Sequence, residues 1–438
     1  MIKTNIAILG GGLAGLSAGY FLKSKPGVGS NCLIFEKEKE AGGLCRSKAV
    51  NGFIFDYDGH LLHFRNKGIE QWVKGLLGRD TLVFHKRNSW VKTGNYEIPY
   101  PFQNFFLRAP AQIAQECLLD FIKAGRVRRE TRNFREWATS VFGAGIYKHF
   151  MLPYNSKFWT ISLGKLSCGW LDGFVPVPKL EGILKAVSCP HSDNIGYNSH
   201  FWYPDSGGIQ ALTASLKDKV AAHLRLAAEV KEIDFKKKVV IFKNNKEKVN
   251  FEYLISSLPL PELLKIIPAL PENIKSAIKK LKYNSIYVLN LGINRKNISD
   301  RHWIYFPAKR AVFYRVGFPM NFSLNVTPPG ASSLYAEVSY SAHKPIDKNE
   351  IRTQIKRDLL KAGILRRADR ILAEDAVDIN YGYPIYDVHY RNATEAIINF
   401  LARKHIFCIG RYGKWKYMSM EDAILDARKA VECLGGLC

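Results

Sequence analysis

The first residues set a clear alternation of texture. Residues 5–9, "NIAIL", are an apolar run, four glycines punctuate positions 10–15, and "LSAGYFL" continues with apolar positions at helical spacing. This predicts a buried strand, a tight turn and a helix. A second short strand, "CLIFEK" (32–37), ends near an acid, and "NGFIFDYDGHLLHF" (51–64) reads as strand-like. From about 104 to 150 the apolar positions recur at helical spacing, in "PAQIAQECLLDFIKAG" and "FREWATSVFGAGIYKHFM". Pro- and Gly-rich pieces (172–208) read as a linker, "FWYPDSGGIQALTASLKDKVAAHL" (201–224) as turn plus helix, and 224–260 as a β-meander returning to a buried strand. Several aromatic strands follow in 283–340, then a helix in 348–364, then strand, Gly-Arg turn and helix in 406–432. No internal repeat is present.

The pattern predicts an α/β chain. A Rossmann-like dinucleotide-binding domain is assembled from residues 1–66, 201–262 and 400–438. It is interrupted by a mainly helical substrate domain (67–200) and an antiparallel β-sheet substrate domain (263–399). Gly10, Gly12 and Gly15 form G-x-G-x-x-G. The first glycine permits the turn, the second lets backbone approach a pyrophosphate, and the third lets helix pack on strand. The helix N-terminus offers N–H groups and a positive dipole end. Glu36, 21 residues after Gly15, stands where an acid accepts ribose hydroxyls.

Composition changes this picture little. The chain has 438 residues, and 47% are hydrophobic, which suits a well-packed globular enzyme and excludes a disordered chain. Its formal charge of +25 favours anionic partners, and much of the excess is dispersed lysine, as in 231–248. Nucleic-acid signatures are absent. The eight cysteines are scattered with no C-x-x-C, so no metal site is expected and the thiols read as reduced, in the cytoplasm. The apolar stretch 6–22 is too glycine-rich to span a membrane, and peripheral membrane contact stays open.

The loop "EKEKEAGGLCRS" adds Gly42, Gly43 and Arg46 directly after Glu36, and Gly410–Arg411 form a second strand-to-helix junction at the other end of the chain. Such loops suit the longer dinucleotide, FAD. The combination resembles the FAD-dependent amine oxidase and protoporphyrinogen oxidase-like superfamily. Further along, "IPYPFQN" groups Tyr100, Phe102 and Gln103, a ring and an amide able to stack on a base and read its edge. "FMLPYNSKFW" puts Asn155 and Trp159 one helical turn apart, and "HWIYFPAKRAVFYR" sets Trp303, Tyr305 and Arg315 on two neighbouring strands. "YGYP" and "WKY" add Tyr383 and Tyr417. Each has a plain alternative: Tyr100, Phe102, Trp159 and Trp303 as core, Asn155 as a helix cap, His60 as a loop residue, Arg315 against a carboxylate.

With "GGLCRS", "YDGHLLHF", "PYPFQN", "LPYNSKFW", "WIYFP…FYR", "YGYP" and "GRYGKWKY" in order, the chain resembles the UDP-galactopyranose mutase family, eukaryotic-type branch. The resemblance implies FAD held by Gly10, Gly12, Gly15, Glu36, Gly43, Leu44, Arg46, Gly59, His60, Val230, Gly410 and Arg411. It implies a UDP-sugar held by Tyr100, Phe102, Gln103, Asn155, Trp159, Trp303, Tyr305, Arg315, Tyr383 and Tyr417, with His60, Arg315, Tyr383 and Tyr417 nearest the chemistry. The implied reaction interconverts pyranose and furanose forms of a UDP-hexose, UDP-galactose first, through a sugar adduct on N5 of reduced FAD, with NAD(P)H as external reductant. The alternative is an oxidoreductase of the amine oxidase or protoporphyrinogen oxidase type. The chain departs from the family pattern at Phe174, where an arginine that grips the diphosphate is expected, at Asp58 in place of a glycine, and at Phe322 in place of a tyrosine.

Overall fold

The computed structural model describes residues 2–25, 31–125, 130–171, 174–188, 198–243 and 247–434. The strand Ile2–Leu9 runs through the middle of a sheet and is buried on both faces over its last four residues. It pairs in parallel with Cys32–Phe35 on one side and Lys248–Ser256 on the other. Leu224–Arg225 and Ile406–Cys408 extend the parallel part, and the hairpin Val230–Asp234 with Val239–Phe242 closes one edge. Strands from the beginning, middle and end of the chain therefore share one sheet. The helix Leu13–Lys23 covers it and packs on Met420–Leu434 from the chain's far end.

A second sheet has seven strands, built on the long Tyr283–Ile293, Ser332–Tyr340 and Ile371–Pro384. Antiparallel pairing sets Tyr305 opposite Arg315 and Arg315 opposite Glu337. One junction is parallel: Trp303–Tyr305 against Ser89–Thr93, which turns back as Tyr96–Pro99. The segment 67–200 thus lends two strands to this sheet as well as its helices. The signal lay in "SWVKTGNYEIP", two alternating runs about a Gly-Asn turn. Leu82–Lys86 also pairs with His200–Pro204, joining the two ends of that segment.

The helices Ala111–Ala124, Phe134–Ile146 and Leu152–Trp159 follow the helical period seen in the sequence. Asn155 sits inside the last of these and donates to the Met151 carbonyl at 2.8 Å, so it is not a cap. One turn of that helix is pinned to the second sheet by Lys157. Its buried Nζ donates among the carbonyls of Phe306, Ala308, Ala311 and Phe313 at 2.7–3.1 Å.

Cys32, Cys45, Cys117, Cys168 and Cys408 are free thiols. Cys433 is disulfide-bonded, which corrects the expectation of uniformly reduced cysteines. Cys189 and Cys438 lie outside the described residues. No described helix is long and apolar enough to cross a membrane, and the described residues hold no group of metal-ligating side chains.

Candidate active site

Gly10 ends the first strand at φ +98, and its N–H donates to Phe35 O at 2.8 Å. A Cβ on Gly15 would stand 1.9 Å from Gly10 O, so only glycine lets the helix start this close to the strand. Gly12, at the helix N-terminus, faces Gly43 of the second loop: a Cβ on Gly12 would be 3.6 Å from Gly43 Cα. Gly42 N–H donates to Gly11 O at 2.8 Å and locks the two glycine turns together. Glu36 is 8% exposed and accepts from Gly11 N–H at 2.7 Å and Glu38 N–H at 2.9 Å. Each oxygen keeps one further lone pair for a ribose hydroxyl. Arg46 Nε donates to Gly43 O at 3.0 Å. The chain's far end completes the cradle, with Gly410 at φ +70 against Ala14 and its N–H donating to Asp426 at 2.8 Å.

From this cradle a cleft of about 650 Å³ runs to the second sheet. Gly10, Gly12, Glu36, Gly43, Leu44, Arg46, Gly59, His60, Gly410 and Arg411 line it, with Tyr100, Gln103, Asn155, Trp159, Trp303, Tyr305, Arg315, Tyr383 and Tyr417. The topology gathers these from both chain ends, both sheets and the helix Leu152–Trp159. Three expected residues stand elsewhere. Phe102 is wholly buried and stacks on Phe150 at 5.2 Å, because the turn after Pro101 points its ring into the helical core. Val230 is on the edge hairpin, and Gly15 acts by packing.

The walls are aromatic. Tyr100 and Tyr305 meet at 4.5 Å, Phe158 and Tyr383 at 4.6 Å, and Tyr383 stacks on Tyr417 at 5.5 Å. Phe174 takes the edge of Tyr417 at 4.4 Å, occupying with an apolar ring the place where the resemblance implies a cation. Burial pushes the hydroxyls of Tyr100, Tyr305, Tyr314 and Tyr383 up, so they remain protonated donors. Burial likewise holds His60 down, against the pull of Asp58, and its ring stays neutral.

Of the three arginines that line the cleft, Arg315 and Arg411 stand in different electrical states. Arg315 gives Nε and Nη2 to the carboxylate of Glu337, with Nε at 3.0 and 2.8 Å and Nη2 at 2.5 Å. Asp58 lies 3.7 Å from the same Nη2. Of the alternatives for Arg315, the structure provides the carboxylate partner. Sequence reasoning missed Glu337. The signal was a lone acid in "SSLYAEVSY", a strand whose other positions are nearly all buried. Arg411 has no carboxylate partner among the described residues. Tyr383, Tyr417 and Tyr412 surround it at 4.4, 4.9 and 5.8 Å, two carbonyls accept from it at 3.4 and 3.5 Å, and its Nε has no partner.

Five more buried polar atoms on the cleft wall are without hydrogen-bond partners among the described residues: Gln103 Oε1, Tyr314 Oη and the Nε1 of Trp159, Trp170 and Trp303. Gln103 Nε2 donates to Pro176 O at 2.9 Å, which fixes the amide so that its oxygen is the unused atom. Unpaired buried polar groups are costly, and a polar ligand removes the cost.

The paired glycine turns, the helix start, the acid on the second strand and the returning Gly-Arg turn fit a flavin dinucleotide laid from the first sheet toward the cleft. Arg411, a cation with a free N–H and no counter-charge, suits an electron-rich ring at the inner end. The molecule is thus a flavin-binding α/β protein with a cleft running from its first sheet to its second. More particularly, the chain belongs to the flavin-containing amine oxidoreductase family, whose model matches residues 13–434. Its fold is that of the FAD-dependent amine oxidase superfamily.

Among solved structures, a reduced UDP-galactopyranose mutase is similar over 100% of this chain and 95% of that one, with 27% identity and a TM-score of 0.93. A fatty acid isomerase of P. acnes shares the fold at 13% identity and a TM-score of 0.70, over 98% of each chain. Human prenylcysteine oxidase 1 is 34% identical over 100 residues, which span 20% of each chain.

Proposed function

We propose that this protein is a flavin-dependent mutase that interconverts pyranose and furanose forms of a UDP-hexose, UDP-galactose first among them. The observation that carries the reading is Gln103. The residue is 2% exposed and lines the aromatic cleft, and its buried side-chain oxygen lacks a donor among the described residues. A uracil ring offers one imide N–H to such an acceptor and a flat face to Tyr100. The full-length likeness to a UDP-galactopyranose mutase supports the same reading.

Reduced FAD, when bound, supplies an electron-rich nitrogen next to the substrate. The chain's own residues then bind and orient. Gln103 and Tyr100 hold the base. Trp159 Nε1 and the Tyr314, Tyr383 and Tyr417 hydroxyls donate to phosphate and sugar oxygens. Arg411 supplies the uncompensated positive charge, and Arg315 keeps only Nη1 outside its pairing with Glu337. Neutral His60 borders the inner end. NAD(P)H serves as the external reductant in this proposal.

The second reading is an oxidase of the amine oxidase type. Phe174 and the carboxylate-bound Arg315 favour it, because both weaken the grip on a diphosphate. The test is incubation of dithionite-reduced protein with a panel of UDP- and dTDP-hexoses. A furanose product from a UDP-hexose, formed only by reduced protein, is the expected result. Steady peroxide production from an amine, with no furanose from any sugar nucleotide, overturns it.

A further inference from the structure

The helix Ile351–Lys361 and the strand Ile371–Pro384 meet in the stretch "LKAGILRRADRIL" (360–372), where aliphatic residues and cations follow each other in short blocks. The structure divides the stretch in two. Ile364 and Leu365 turn inward, 7% and 6% exposed, and join the core against the second sheet. Leu360, Ile371 and Leu372 stay outside, at 42, 39 and 43% exposure. Lys361, Arg366, Arg367 and Arg370 are exposed beside them.

The loop is held in place. Arg295 grips the Asp369 carboxylate through Nε at 2.7 Å and Nη2 at 2.8 Å, and the same Nη2 donates to Ile364 O at 2.9 Å. Arg366 N–H donates to Asp369 at 2.8 Å, and Arg370 N–H to the Asn294 side chain at 2.7 Å. Asn51 Nδ2 donates to Leu372 O at 2.9 Å and ties in the turn between Ser47–Val50 and Phe53–Asp56. These contacts also occupy the neighbouring acids: Asp369 pairs with Arg295, Glu374 with Lys356 and Asp375 with Lys48. Lys361, Arg366, Arg367 and Arg370 have no ion-pair partner among the described residues. A loop already fixed loses little freedom when it binds.

Four such cations around three exposed aliphatic side chains call for a partner that is anionic and also receives hydrocarbon. A nucleic-acid backbone uses the charges and leaves Leu360, Ile371 and Leu372 in water. A second copy of the chain sets these arginines against themselves, because a two-fold interface is self-complementary, and each copy carries a formal charge of +25. An anionic bilayer takes both: its headgroups meet the cations, and the aliphatic side chains enter the boundary with the acyl chains. We propose that loop 360–372 docks this protein on an anionic phospholipid surface, with Lys361, Arg366, Arg367 and Arg370 over the headgroups and Leu360, Ile371 and Leu372 inserted between them. Each cation close to such a surface strengthens binding about fivefold. The attraction is screened within about 10 Å at 0.1 M salt, and the aliphatic part is not screened. Docking is independent of the reaction the flavin performs.

The test is flotation of the flavin-loaded full chain with vesicles of phosphatidylcholine alone and of an equal mixture with phosphatidylglycerol, in about 0.1 M salt. Three variants are compared with the unaltered protein. R366Q/R367Q/R370Q removes charge from the loop, and L360Q/I371T/L372T removes its hydrocarbon. K236Q/K237Q/K238Q removes the same charge from the turn of the hairpin Val230–Asp234 and Val239–Phe242. The unaltered protein is expected to float with the mixed vesicles and not with phosphatidylcholine alone. The arginine variant binds about a hundredfold more weakly, the aliphatic variant about fivefold or more, and the lysine variant within about threefold, all with unchanged flavin content and circular dichroism. Equal losses in the arginine and lysine variants would mean that net charge alone attracts, and would overturn the docking loop. No flotation of the unaltered protein, or full binding by the aliphatic variant, overturns it as well. So does tighter binding to a single-stranded oligonucleotide than to the mixed vesicles, equal in the unaltered and aliphatic proteins, which assigns the loop to nucleic acid. Trypsin gives a reading without any variant. Cleavage after Arg366 and Arg367 is expected to slow in proportion to the fraction bound to mixed vesicles, and an unchanged rate on those vesicles contradicts the proposal.

Discussion

Most of the Arg315 guanidinium is committed to Glu337, and this changes what its removal does. Truncating one member of a buried, hydrogen-bonded ion pair leaves its partner stranded. Arg315→Ala is expected to lower stability by about 3–5 kcal/mol in urea unfolding, with loss of UDP binding as a consequence. A variant of unaltered stability that nonetheless fails to bind UDP would return Arg315 to the role of a free phosphate ligand. Gln103→Leu keeps the shape of its site and removes only the acceptor. UDP affinity is expected to drop about tenfold by calorimetry, near the strength of one buried hydrogen bond, and flavin content is expected to stay the same. An unchanged affinity would show that no imide N–H meets this residue. His302 is buried against His85 and Phe201, accepts from Asn88 N–H at 2.9 Å, and is pushed down to about 3 by burial and then by His85. An unfolded histidine titrates near pH 6.5. Between those values the unfolded chain binds more protons, so stability falls as pH drops from about 6.5 toward 3. His302→Gln should flatten that slope in denaturant midpoints, and an equal slope in both proteins would assign the acid sensitivity elsewhere.

At the scale of elements, the helix Leu152–Trp159 carries Asn155 and Trp159 into the cleft, and Lys157 decides how it sits. Burial pushes the lysine pKa down to about 7, but four carbonyl oxygens meet its ammonium group. Those carbonyls belong to the connection between Trp303–Tyr305 and Arg315–Gly317, so one side chain sets the distance between helix and sheet. Lys157→Met fills the volume and leaves the carbonyls unpaired. The expected cost is about 2–4 kcal/mol in stability, together with weaker UDP binding as the helix shifts. Full stability in that variant would mean that water or a neighbour satisfies the carbonyls unaided. The glycine turns make the same point at the first sheet: the cradle there is backbone geometry, set where Gly15 lets the helix begin against Gly10.

Across the whole molecule, the parts legible in the sequence were those with strong local periods. The glycine turn between strand and helix, the helices of 104–150, the aromatic strands after 283 and the closing Gly-Arg turn all stand where their patterns put them. Strands from both chain ends share one sheet, and each end shows a glycine turn between strand and helix in the sequence. Other features depended on long-range pairing. Ser89–Thr93 entered the second sheet through a parallel partner more than 200 residues away, which no local pattern encodes. Glu337 found Arg315 through strand register, and Phe102 turned into the core because the chain bends after Pro101. Side-chain function in this fold is decided by such pairings. The formal charge of +25 belongs to the whole chain, whereas inside the cleft Arg315 is balanced by Glu337 and Arg411 has no ion-pair partner among the described residues.

The central claim is that the flavin works on a nucleotide sugar without net oxidation. The most direct measurement is the number of furanose molecules made per reduced flavin, in anaerobic solution with a limiting, known amount of reductant and excess UDP-galactose. The account predicts many product molecules per flavin, with the flavin still reduced when the reaction reaches equilibrium. Reoxidation of one flavin for each substrate consumed, or no furanose while the flavin stays reduced, would contradict it.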